Sequence, residues 1–233
     1  MLVSRVRRTI VSRGLIPRRS KVLCACSGGP DSAALLASLA RLSDELGFSL
    51  AAASVDHGLR PEAGRDLALA AEQADRVGVS FHALRIQVAH GASLQARARD
   101  ARYAALRELA GRLGANRVAV LPGLAAIRPL RADGVVRPLI DCRREDARRF
   151  ALTCFAEVAD DRSNLDPRFE RVRIRSHLTP LLSAEDPALV RHLAELADDA
   201  RDCMQLVEQL AEALLLRALR DPKTLDISAL QAQ

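Results

Sequence analysis

VLCACSGGPDSAALLASLARL, Val22 to Leu42, is the stretch whose reading decides the fold. Val22 to Cys26 is an apolar run too short for a helix, SGGPDS from Ser27 to Ser32 breaks it, and Ala33 to Leu46 then follows helical periodicity. Strand, glycine turn and helix follow one another, and the pattern recurs downstream. Residues 50–55 are strand-like, 63–77 helical, 80–86 strand-like, 93–113 helical and 117–120 strand-like. This alternation predicts an α/β fold with a parallel sheet and helices on both faces. Past Val120 the regularity ends, because Pro122, Gly123, Pro129 and Gly134 come too densely for a covering helix. Returning a chain to the same edge of a parallel sheet takes about a dozen residues, usually helical. The connection from Val120 to Val135 has little to spare, so one flank of the sheet is expected to be uncovered or remodelled. Residues 143–152 again read as helix, 159–175 are polar and arginine-rich, and 187–219 form a long helical region with room for one break. A boundary near Ser183 divides the chain into domains 1–182 and 183–233.

The turn is a phosphate loop by its chemistry. Adjacent Gly28 and Gly29 let a ligand approach main-chain amides closely. The helix behind them presents unpaired N–H groups and a partial positive charge, where phosphate oxygens settle. Ser27 and Ser32 add hydroxyls on either side of Pro30, and Asp31 makes sense in an anion-seeking loop if Mg2+ bridges it to the phosphates. An Asp or Ser N-cap after a tight turn accounts for one of these residues but not for the set. The loop is neither Gly-Lys-Ser/Thr nor G-x-G-x-x-G. Asp56 and His57 close the second strand, on the side where open parallel sheets place ligands, and are candidates to orient nucleotide or metal; Asp56 capping the next turn is the plainer reading.

The 233 residues carry a net charge of +6, and all but Lys21 and Lys223 of the 35 cations are arginines, planar donors suited to phosphate. No run approaches the roughly 18 apolar residues of a spanning helix, so no membrane association is expected. Cys24, Cys26, Cys142, Cys154 and Cys203 contain no C-x-x-C pair, which fits a reducing compartment. Residues 1–30 lack acids and superficially suggest a transit peptide, but Leu2, Val6, Ile10 and Leu15 lie near the spacing of a packed first helix.

SGGPDS after an apolar strand resembles the signature of the N-type ATP pyrophosphatases, the PP-loop superfamily. SVDHGLRPEAGRD at 54–66, SLQARARDARYAAL at 93–106, VVRPLID at 135–141 and DDRSNLDPRFERVRIR at 160–175 narrow the resemblance to the tRNA(Ile)-lysidine synthases over roughly residues 15–182. The resemblance implies an adenine nucleotide alpha hydrolase-like, Rossmann-type fold and an ATP-dependent carbon–nitrogen ligase. It also implies ATP and Mg2+ as cofactors, tRNA(Ile) with a CAU anticodon and L-lysine as substrates, and a bacterial cytoplasmic location. In such enzymes the wobble cytidine is adenylated and lysine then displaces AMP to give lysidine. Asp31, Asp56, His57 and Arg99 become the catalytic candidates, with Asp31 on the metal and Ser27 to Ser32 on the nucleotide. Arg97 and Arg102 join Arg171, Arg173 and Arg175 as tRNA contacts, although a charged helical run usually marks a solvated face. Arginines alternating on a segment with few acids suit backbone phosphates. The sequence leaves the oligomeric state open, a homodimer being one option.

Three departures from the family pattern stand out. Where the family carries a histidine, paired aspartates and a Gln and Glu-Thr leading a helix, VAV at 118–120 runs straight into LPGLAAIRPL, and Val172 replaces an asparagine. TLDISALQAQ also ends where the family begins a tRNA-gripping domain, so 183–233 is expected to be a helical linker or the start of a shortened C-terminal region. Two other readings stay open: a tRNA thiolation enzyme of the same superfamily, and a catalytically impaired nucleotide- or RNA-binding paralogue.

Overall fold

In the computed structural model of the chain, residues 1–56, 58, 63–87, 94–121, 128–159, 170–186, 188–221 and 224–225 are described. The apolar run Lys21–Ala25 forms β1, and the strands Ser49–Asp56 (β2), Ser80–Arg85 (β3), Arg117–Ala119 (β4) and Val135–Val136 (β5) join it in one sheet. Every pairing is parallel, in the order β3-β2-β1-β4-β5. The order reverses direction between β1 and β4, and a crevice opens at such a point beyond the carboxyl ends of the strands. The segment that leaves β1 at that end is Ser27 to Ser32.

Successive residues of each strand serve opposite faces. Val22, Cys24, Ala52, Ala119 and Val136 pack beneath α1 (Leu2–Ser12), α2 (Pro30–Leu46), α3 (Ala63–Arg76) and α5 (Arg144–Cys154). Leu23, Ala51, Ala53, Val118, Val120 and Val135 meet Tyr103, Leu106, Leu109 and Ala110 of α4 (Leu94–Leu113) on the other face. Both faces are thus covered, but unequally. The fully buried Leu35, Leu36 and Leu39 of α2 each contribute about 2 kcal/mol by leaving water, and α2 ends on Gly47 in the left-handed region.

Residues 1–30 belong to the fold. Leu2, Val6 and Ile10 bury one stripe of α1, and Leu15 is buried just past its end. The hydroxyl of the buried Thr9 donates to Asp141 Oδ2 at 2.9 Å, while Arg13 grips both oxygens of the same carboxylate at 3.0 and 3.1 Å. Thr9→Val, which keeps the shape and deletes the donor, is expected to cost about 1 kcal/mol in urea denaturation. An unchanged midpoint would show that Arg13 alone holds the contact.

The short connection after β4 is resolved by short strands. Arg131 N–H donates to the Val135 carbonyl, Gly134 N–H to the Arg131 carbonyl, and Leu130 bridges Val136 antiparallel. The chain therefore doubles back through a tight turn directly into β5. With three residues in β4 and two in β5, the return path is short enough to need no helix, and none occurs among its described residues.

Contacts divide the chain into a compact unit, Met1–Arg162, and a second, Ser163–Gln233, whereas the sequence suggested a division near Ser183. In the second unit Glu170–Arg173 (α6) continues through a π-helical turn, Ile174–Leu178, into α7 (Thr179–Glu185). Leu189–Ala218 (α8) is one unbroken helix, and Leu219–Asp221 pairs antiparallel with Thr224–Leu225.

Candidate functional site

The loop from Ser27 to Ser32 is held from within and from behind. The Ser27 N–H donates to Ser32 Oγ at 3.1 Å, and that hydroxyl donates to the Gly29 carbonyl at 2.9 Å. The two serine hydroxyls lie 3.2 Å apart. Pro30 opens α2 with Gly29 as its N-cap, so the amides of Asp31 and Ser32 have no partner within the helix. Gly28 has φ +76°, a conformation that glycine alone adopts readily. Its carbonyl turns back into the protein and accepts Ala159 N–H at 2.9 Å and Gln73 Nε2 at 3.0 Å. Residues 157–159 and α3 therefore form the rear wall of the loop.

Asp31 faces the N-terminal end of α5. Its Oδ2 lies 3.1 Å from Arg144 Nε, while Oδ1 is buried without a hydrogen-bond partner. Burial pushes the carboxyl above its usual range, against the pull of Arg144 and Arg148, and Glu145 adds a smaller rise. A half-buried carboxylate with one unsatisfied oxygen suits a hard cation. Among the described residues no cluster of three or more His, Cys, Asp or Glu side chains is assembled for a metal. The arrangement fits Mg2+, which binds through one or two carboxylates with water and substrate phosphates, rather than a metal caged wholly by protein.

The other candidates are distributed as follows. Asp56 closes β2 at the same end of the sheet, but its Oδ1 accepts the Gly58 N–H at 2.8 Å and so caps the following turn. His57 lies outside the described residues. Arg97, Arg99 and Arg102 lie on α4, with Arg97 exposed. The guanidinium carbons of Arg99 and Arg102 sit 5.8 and 5.5 Å from the centroid of the buried Tyr103 ring. Arg131, from the turn before β5, completes the group at 5.4 Å and also pairs with Asp133. Arg171 and Arg173 lie in α6 and Arg175 in the π-helical turn, where residues two apart do not share one side of the backbone; Arg173 is exposed. Residues 160–169, the first part of that block, lie outside the described residues.

Four residues of this neighbourhood escaped the sequence reading. Arg144 stands three residues beyond VVRPLID, with no motif to flag it. Arg131 is joined to Tyr103 only by the fold. Arg137, from VVRPLID itself, is fully buried and donates from Nη1 to the Arg128 carbonyl. Gln73 did leave a signal, because it interrupts the apolar spacing of Leu69, Ala70, Ala74 and Val77 with a polar side chain.

The two cysteines beside the loop are not presented for chemistry, whereas Cys203 on α8 is exposed. Cys24 and Cys26 are buried, with Sγ atoms 3.8 Å apart. The hydrogen bond from Cys26, followed by burial, pushes the Cys24 thiol up. Burial raises Cys142 to about 11.

Comparison with known proteins places this geometry. The family model for the PP-loop domain matches residues 3–121. A tRNA(Ile)-lysidine synthase of Aromatoleum aromaticum is 38% identical over 224 residues, spanning 87% of this chain and 52% of that protein. One from Salinispora tropica is 34% identical over 226 residues, spanning 85% of this chain and 68% of that protein. The chain spans about half the length of the first curated relatives it matches. Among solved structures, the U34-tRNA thiolase of Methanococcus maripaludis with its iron–sulfur cluster superposes with a TM-score of 0.64 at 15% identity, covering 84% of this chain and 78% of that one. At that identity the likeness speaks for the fold alone.

Proposed function

The chain belongs to the PP-loop family and, within it, to the tRNA(Ile)-lysidine synthases, and from that premise we propose that it binds ATP with Mg2+ and ligates L-lysine to the wobble cytidine of tRNA(Ile) bearing CAU. The observation that carries the reading is the loop at the sheet's switch point, with glycines and a helix N-terminus facing outward and a carboxylate beside them. In the reaction the cytidine carbonyl oxygen attacks the α-phosphorus of ATP and pyrophosphate departs. The lysine amine then attacks the ring carbon, loses a proton, and AMP leaves. The group gathering charge in the first step is the leaving pyrophosphate, so the donors of Gly28 to Ser32 belong there. Mg2+ when bound would neutralise phosphate charge, with Asp31 as its protein ligand.

Asp56, His57 and Arg99 remain the further catalytic candidates. Arg97, Arg102, Arg171, Arg173 and Arg175 are proposed as tRNA phosphate contacts, which predicts affinity that falls with salt. The arginines gathered at Tyr103 support this, since like charges collected round one ring favour an anion between them. The catalytic part is taken as residues 1–182 and the remainder as a linker, so it crosses the edge of the compact unit to include the arginines of 171–175. The cytoplasm, where thiols stay reduced, is the proposed location. No helix of the described residues is long and apolar enough to cross a membrane.

The thiolation reading is weaker, because Cys24 and Cys26 are buried rather than presented to a substrate. Incubation with ATP, radiolabelled lysine and a CAU isoleucine tRNA is expected to leave label on the RNA. Retained ATP binding without label would favour the nucleotide-binding paralogue, and sulfur incorporation the thiolase.

A further inference from the structure

We propose that Gln73 is a positioning residue of the phosphate site, orienting the Gly28–Gly29 peptide so that its N–H faces the ligand; this rests on the reading that the loop binds a triphosphate. Gln73 is 2% exposed, in the last turn of α3. Its Nε2 donates to the Gly28 carbonyl at 3.0 Å and to the Glu157 carbonyl at 3.3 Å. A peptide is planar and trans, so its C=O and N–H point in opposite directions. Fixing the Gly28 carbonyl toward α3 therefore aims the Gly29 N–H away from the protein interior. Among the described residues that N–H has no acceptor.

Packing alone does not account for a glutamine here. Leu69, Ala70 and Ala74 fill the neighbouring positions with apolar atoms, and Gln73 Oε1 is buried without a partner. An apolar residue would avoid that unsatisfied oxygen. What glutamine adds is a second donor to a carbonyl already held by the Ala159 N–H. With Gly28 at φ +76°, its flanking peptides have more freedom to rotate than at any other residue type, and the second donor removes it.

Q73M keeps the length of the side chain and deletes both donors. Titration with ATP and magnesium is expected to show affinity about tenfold weaker than wild type, the consequence of one lost orienting hydrogen bond. Adenosine, which carries no phosphate, should bind as it does to wild type. If Q73M does not fold, Q73L deletes the donors with a smaller apolar side chain, and the same selective loss is expected. Unchanged ATP affinity, or equal weakening of ATP and adenosine, would overturn the positioning role, since a residue that merely fills the core cannot distinguish the two ligands. Wild-type protein that binds adenosine but gains nothing from the phosphates would overturn the triphosphate reading itself and this inference with it.

Discussion

Gly28→Ala should leave a folded protein that no longer binds ATP measurably. Two costs fall on one atom. Alanine at φ +76° is disfavoured by about 1–2 kcal/mol. Its Cβ would also stand 2.9 Å from the Asp66 carbonyl oxygen, a backbone atom that cannot swing aside as a side-chain tip would. Relieving both requires the peptide to rotate, which surrenders the contacts of the Gly28 carbonyl with Gln73 and Ala159. Together these reach about 3 kcal/mol, a loss in affinity of a hundredfold or more if borne at the loop. Gly29→Ala is the matched comparison: its φ is −73°, and its Cβ would meet Ser27 Oγ at 3.6 Å and the Ala159 carbonyl at 3.8 Å, both ordinary contacts. Gly29→Ala should unfold within about 0.5 kcal/mol of wild type. Urea denaturation and ATP titration of the two variants check the pair, and Gly28→Ala binding ATP like wild type would mean that the loop conformation does not matter.

The difference between these neighbouring glycines was invisible in SGGPDS, where both read simply as permissive. What the sequence made legible was local: apolar runs alternating with helical periodicity, and a turn whose residue types suit phosphate. The elements from Lys21 to Ala119 follow those signals most closely at the centre, where β1 and the middle of β2 are buried on both faces and α2 is buried over Ser32 to Leu39, and least at the edge strand β3, which has no fully buried residue. The loop's support was not legible, because it comes from Gln73 and Ala159, distant in sequence and joined to Gly28 by backbone carbonyl geometry. The return into β5 turns on strand length. The dozen-residue rule assumes strands of ordinary length, and β4 and β5 are too short to impose it. Asp56 shows the opposite limit, since its capping of Gly58 is what an Asp before a turn does anywhere, and chain position alone could not separate that from a ligand-facing role.

Asp31→Asn should make the protein without nucleotide more stable at neutral pH and abolish magnesium-dependent ATP binding. Burial raises the Asp31 carboxyl above its ordinary range despite Arg144 and Arg148, so the folded state prefers the protonated form. An acid shifted in that direction favours folding below its unfolded pKa, and the contribution is lost as pH rises through the folded pKa. At neutral pH the ionised carboxylate is therefore held at a net cost, which asparagine removes while still offering an oxygen to Arg144. Arg144, a third exposed, is not left as a buried orphan when the charge goes. The same substitution removes the anionic oxygen that a magnesium ion would meet, and the expected loss of ATP affinity in the presence of magnesium is at least a hundredfold, about 3 kcal/mol. Strain kept at a functional site in exchange for binding is the usual reason a stabilising change is costly to function. Urea midpoints measured across the carboxyl's titration range should slope less for the variant than for wild type, with the two converging in acid. Equal midpoints at neutral pH would refute the cost assigned to burial, and ATP affinity that still responds to magnesium would remove Asp31 from the metal.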